Sequence, residues 1–336
     1  MFGFKMTDYD LKVYKEELEP FLPKNIVDAH SHVYLRSDNE EIRYWPERVA
    51  IDNSIEDLVQ TYKDMFPNNT VVPVVFGMSG EEKYNDNAYV AQSCKKYNYP
   101  TLFFTDYYMS SEELEKRVVE GGFKGLKPYF YQCRKGVSQR DAGIYDFMPE
   151  HHLKVADKLG LTLVLHISKE DRIKNKDNVK TLMEIEQKYP NIKLIVAHIG
   201  RAYAKEDFGD SFETLKHSEK MYFDFSANTL PYATEKCIES VGTKRVLFGS
   251  DLPISKMRMY RVVENGVYIN VIPKGLYGDV SGDPHMREVE DASNMTNFMY
   301  EIIRGFKKTA EKLTLTKKDI EDIMCNNAAS LYNIKF

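Results

Sequence analysis

Five residues with metal-binding side chains stand at the ends of short apolar runs. His30 and His32 close "NIVDAHSH", His166 closes "LTLVLH", His198 closes "IKLIVAH", and Asp251 closes "RVLFGSD". Any one of these histidines taken alone is best explained as a hydrogen-bonded residue at a strand end. Repeated at the same end of separate runs, they call for a shared task. Several imidazoles and a carboxylate form a donor set for a divalent cation, with room left for water. A water so held loses its proton at a pKa of about 7, which makes hydroxide available at neutral pH.

Such a site needs elements that bring distant runs to one place. Short apolar, β-branched runs occur at 25–30, 70–77, 101–105, 123–130, 161–168, 192–200, 221–227 and 245–251. Continuous rather than alternating apolar character suits parallel strands covered on both faces. Helical spacing lies between them. In "DNVKTLMEIEQKYP" the residues Leu182, Ile185 and Tyr189 share a face, with Pro190 just beyond. In "SSEELEKRVVEGG" Ser110 or Ser111 is the expected cap and the glycines end the helix. The pattern predicts an α/β fold, a (β/α)8 TIM barrel, as one domain over 1–336. An open doubly wound sheet is disfavoured, because no glycine-rich phosphate loop follows the first strand. In a barrel the strand ends share one face, and His30 and His32, two apart, point to the same side. Asp28 is expected to share that facing. Residues 255–293 carry glycines and prolines without a long helical period and are expected to form an ordered cover over the active site. The C-terminal segments read as helices closing the outer ring.

The chain has 336 residues, a net charge of −5 and four widely spaced cysteines. That balance argues against nucleic acid or an anionic membrane as the main partner. The sequence shows neither a long apolar span nor the pattern of a signal peptide, and no CxxC pair, so a reduced, cytoplasmic protein is expected. A homodimer is the base-rate expectation for a soluble enzyme.

"VDAHSHV", "LVLHIS", "IVAHIG", "LFGSDLP" and the terminal "NNAASLYNI" resemble the amidohydrolase superfamily, in its amidohydrolase-related (amidohydrolase-2) branch, which includes enzymes of the aminocarboxymuconate-semialdehyde decarboxylase type. The pattern runs from about residue 25 to 336. The resemblance implies that His30, His32, His166 and Asp251 hold one divalent metal, usually zinc, with manganese or iron as alternatives. It implies that His198 contacts the metal-bound water or substrate, or binds a second metal. Asp251 and His198 would then move protons or polarise a carbonyl. Hydrolysis and decarboxylation both occur in this branch, and these five residues do not separate them.

Lys127, at the end of the fourth run, has three readings: a carbamylated bridge between two metals, a cation anchoring a substrate carboxylate, or a solvated lysine. The substrate anchor is favoured, since an unmodified ammonium has no lone pair for a metal. Arg201, directly after "AHIG", either reaches an anionic substrate or forms a surface ion pair. Tyr129, Tyr203, Arg258, Arg261 and His285 read as structural, and His151, His152 and His217 as exposed. Three functions compete: a metal-dependent hydrolase acting on a small anionic carbonyl compound, a non-oxidative decarboxylase, and a non-catalytic barrel that binds a ligand or partner.

Overall fold

The computed structural model describes residues 5–35, 45–78 and 87–336. Eight short strands run parallel: β1 Asn25–His32, β2 Thr70–Phe76, β3 Leu102–Phe104, β4 Gly125–Lys127, β5 Thr162–Leu165, β6 Lys193–Val196, β7 Tyr222–Asp224 and β8 Val246–Leu247. β1 pairs with β2, and β3 to β8 pair in sequence order. Two parallel bridges join these pieces into a ring, Val75 with Thr101 and Ser31 with Leu252. The Ala29 amide also donates to Phe248 O at 2.9 Å. The fold is therefore the expected (β/α)8 barrel.

Alternation sorts the side chains. Val27, Val74, Leu102, Val164, Ile195 and Leu247 pack inside, while Ile26, Phe103, Leu163, Leu194 and Phe223 meet the helices outside. Where β4 and β5 lie closest, only glycine fits. A Cβ on Gly125 would lie 1.9 Å from Thr162 Oγ1. At the N-terminal end Cys325, Ala328, Leu331 and Tyr332 plug the interior. Asn327 ties that plug to β8 by donating to Thr243 O at 2.8 Å and Val246 O at 2.9 Å. The terminal "NNAAS" motif is thus the barrel's floor.

Helices begin where the sequence places their caps. Ser110 caps Ser111–Gly121, which ends on left-handed Gly122. Asn175 caps Lys176–Lys188, whose Val179, Leu182 and Ile185 are buried. Ser54 and Asp57 form a capping box for Ile55–Met65.

Residues 255–293 fold as a small sheet of β9 Tyr260–Glu264, β10 Val267–Pro273 and β11 Met286–Val289, in the order β11-β10-β9. The Tyr, Val and Ile residues that suggested an ordered segment are strand residues. Just before this sheet, Pro253 and Ile254 line the cavity beside the histidines. The four cysteines are free. No helix among the described residues is long and apolar enough to cross a membrane.

Candidate metal centre

β1 carries a bulge at the site. Its register against β2 shifts between Asp28 and Ser31. Before the shift Val27 and Ala29 face the interior, so strict alternation would turn His30 outward with Asp28. The extra residue resets the phase, and His30 and His32 both line the cavity at the mouth. This corrects the expected facing of Asp28. Its carboxylate points to the outer layer, where Tyr62 donates at 2.6 Å and the amides of His30 and Ser250 donate at 3.0 and 2.9 Å. Burial raises its pKa to about 6 against those bonds.

The imidazoles of His30, His32 and His198 each have one nitrogen engaged. His32 Nδ1 donates to Gly77 O at 2.8 Å. His30 Nδ1 lies 3.1 Å from Asp224 Oδ2. Ser226 Oγ donates its hydrogen to Asp224 Oδ1, so it is left to accept from His198 Nδ1 at 2.8 Å. All three rings therefore carry their lone pair on Nε2. The Nε2 atoms of His30 and His32 stand 3.5 and 3.4 Å from Asp251 Oδ1. Burial drives His30 down to about 4, despite Asp224, and also lowers His166 and His198. Neutral imidazole is the form that binds metal.

Asp251 adopts a left-handed backbone (φ 62°) and its amide donates to His30 O at 2.8 Å. Burial pushes its carboxyl upward, but His198, His32 and His30 outweigh that and hold it ionised. His30, His32 and Asp251 can present ligand atoms within 4.8 Å of one another, and so can His30, His198 and Asp224. The first trio fits a cation better. Asp224 already accepts from His30 Nδ1, from the amides of His198 (3.0 Å) and Ser226 (3.2 Å), and from Ser226 Oγ. Its part is to orient His30 and fix its tautomer.

His166 lies outside that compact trio but lines the same cavity, of about 160 Å³, its ring 5.0 Å from that of His198 and 4.6 Å from that of Tyr129. Its Nδ1 is buried without a partner among the described residues, an orphan that a further ligand would satisfy. Lys127 is fully buried, with Nζ 5.2 Å from the Phe76 ring and 5.7 Å from that of Tyr129, which rules out the solvated reading. Burial lowers its pKa to about 8, opposed by Asp224 and Asp251, and among the described residues Nζ has no hydrogen-bond partner. Arg201 is half-buried and left-handed (φ 63°), with its guanidinium near Phe130 and one long bond to Ile167 O at 3.4 Å.

The remaining candidates divide. Arg258 is paired with buried Asp10, and Arg261 is enclosed by Tyr203, Tyr268 and Phe298 while donating to Ala227 O at 2.7 Å. His285 stacks on Tyr268 at 4.1 Å. His217 is exposed as expected, His151 is half-buried, and His152 is buried, a correction: its Nε2 meets Met109 O at 2.8 Å. Asp224 reads in the sequence as a polar strand end whose facing is open. Its signal is the alternation in "YFDFS": Phe223 and Phe225 pack outward, which forces Asp224 inward at a strand end.

The amidohydrolase family model (Amidohydro_2) matches residues 27–334, and the chain belongs to that family. None of the curated proteins matches it in sequence. Similar solved structures include a probable 2-pyrone-4,6-dicarboxylic acid hydrolase from Acinetobacter baumannii with citric acid bound, 13% identical, TM-score 0.58, covering 92% of this chain and 100% of that one. A 5-carboxyvanillate decarboxylase from Sphingomonas paucimobilis is 12% identical with TM-score 0.57, covering 93% and 100%. An amidohydrolase from Burkholderia multivorans with bound zinc is 12% identical with TM-score 0.60, covering 92% and 99%. At such identities the likeness is one of fold.

Proposed function

We propose that this amidohydrolase holds one divalent cation, zinc by preference, through His30, His32, His166 and Asp251, and hydrolyses a small anionic carbonyl compound such as a lactone or amide. The observation that carries this reading is the convergence of free Nε2 lone pairs on His30 and His32 with Asp251 Oδ1 at the barrel mouth. A bound cation would supply an acidified water. The chain supplies the rest. Asp251, held ionised, accepts a proton. His198, its Nδ1–H fixed on Ser226, offers Nε2 to polarise the substrate or share the proton. Arg201 and Lys127 attract the substrate's negative charge.

The buried amine of Lys127 also keeps the carbamate reading, with a second metal, in play. Carbon-13 NMR of protein exposed to labelled bicarbonate separates the two: a carbamate signal lost in Lys127→Met replaces the one-metal account. Decarboxylation on the same residues is the second reading, favoured by the apolar wall of Tyr129, Met78, Val49 and Ile254, which suits an aromatic or enoic acid. A panel of lactones, amides and unsaturated carboxylates, each assayed for both hydrolysis and carbon dioxide, tests the proposal. Carbon dioxide release without hydrolysis replaces the hydrolase by a lyase.

A further inference from the structure

Beyond Phe130, whose ring stands 5.3 Å from that of His166, a second recess of about 230 Å³ opens between the loops after β4, β5 and β6. Its walls carry Arg140, Lys169, Arg172 and Arg201 against a single carboxylate, Glu170. Two of the cations are already matched. Arg140 pairs with Glu170 at the exposed rim, and Lys169 pairs with Asp177 at 2.8 Å. Arg172 and Arg201 are half-buried, and among the described residues neither has a carboxylate within ion-pair distance. Their guanidiniums donate to carbonyls, Arg172 to Arg201 O at 3.2 Å and Arg201 to Ile167 O at 3.4 Å.

The backbone here is costly to make. Lys169, Arg172, His198, Ile199 and Arg201 all have positive φ without being glycine. Such conformations persist where surrounding structure enforces them, and they cluster at ligand sites. Gly200 belongs to the same turn, and a Cβ on it would meet Ile173 at 2.5 Å. Close packing of the two loops thus sets Arg172 beside Arg201.

We propose that this recess binds a second anionic group, a carboxylate or phosphate, carried at the end of the substrate remote from the reacting centre. Two guanidiniums without counter-ions, one of them beside His166, provide fork-shaped donors for such a group. The substrate would then be a dianion or longer, spanning from the histidine cavity past Phe130 to Arg172. This rests on the metal cavity being the reacting centre, so the test reads the two separately.

Monohydroxamates of dicarboxylic acids from succinic to suberic, titrated calorimetrically into zinc-loaded protein, are compared with neutral-tailed hydroxamates of equal length. One chain length is expected to bind at least tenfold tighter than its neutral counterpart, and Arg172→Gln is expected to erase that advantage while the neutral compound binds unchanged. Equal binding of charged and neutral tails at every length overturns the proposal. If no hydroxamate binds, the metal reading fails, and inorganic phosphate then reads the recess alone. Phosphate binding to the His30→Ala, His32→Ala double variant that is weakened at least tenfold by Arg172→Gln or Arg201→Gln, but not by Arg140→Gln, upholds the recess and assigns it to free anions rather than to a substrate tail. Phosphate affinity unchanged by both arginine substitutions overturns it. Circular dichroism confirms folding of each variant, and Arg172→Lys replaces any that unfolds.

Discussion

Replacing Asp224 with Asn tests the orientation of His30 without touching a proposed ligand. Asp224 accepts from His30 Nδ1 on one oxygen and from two amides and a hydroxyl on the other. An amide has one acceptor end and one donor end, so in either flip its NH2 faces a buried donor. Facing His30, the amide favours the other tautomer, which puts the ring's lone pair on the wrong nitrogen. Facing His198 and Ser226, it leaves their donors unsatisfied. A buried unpaired donor costs about 1–3 kcal/mol, and loss of a ligand's orienting partner costs about 10–100-fold in metal affinity. That range equals about 1.4–2.7 kcal/mol of binding energy. Chelator competition would read the zinc affinity of Asp224→Asn, and urea unfolding of the metal-free protein would read its stability. Affinity within twofold of the parent protein would refute the role of Asp224 as the residue that orients His30.

Other perturbations bear on the frame around the site. Lys256 is buried, its pKa lowered to about 8 by burial against the pull of Asp57 and Asp64, and it donates to Asn53 Oδ1 at 2.8 Å. Because the folded pKa lies below the unfolded value of 10.5, the unfolded chain binds more protons between the two, and stability rises with pH from about 8 to 10.5. Lys256→Met should abolish that rise and add up to about 3 kcal/mol at pH 7, read from urea midpoints across pH. Asn327→Ala, which strands the carbonyls of Thr243 and Val246, should lower unfolding free energy by about 1–3 kcal/mol in urea. Gly125→Ala forces a methyl onto Thr162 and should cost about 3 kcal/mol or prevent soluble folding, measured by thermal melts and expression yield.

What could be read in advance follows from where each feature's cause lies along the chain. His30, His32, His166, His198 and Asp251 were legible because each follows a run of apolar residues, and a parallel barrel gathers such ends on one face. The helix boundaries at Ser110 and Gly122 were equally local, set by a cap and by a glycine. The bulge in β1 was not local. Nothing within "VDAHSH" marks an extra residue; it is held by Tyr62 and Ser250 on Asp28 and by Phe248 on Ala29, contacts far away in sequence. The sheet of β9–β11 was legible as ordered but not as strands, because glycines and prolines interrupt its period and its β10–β11 pairing joins residues sixteen apart, such as Asn270 and Met286. Lys127 left three readings open in the sequence, with the substrate anchor favoured, and its complete burial at the end of β4 removes only the solvated one.

The central claim is a cation held by His30, His32, His166 and Asp251, and elemental analysis of the purified protein tests it most directly. The account predicts about one divalent ion per chain, lost in the His30→Ala, His32→Ala double variant that still melts cooperatively. A parent protein without metal after reconstitution with zinc, or a double variant that keeps its full complement, would contradict it.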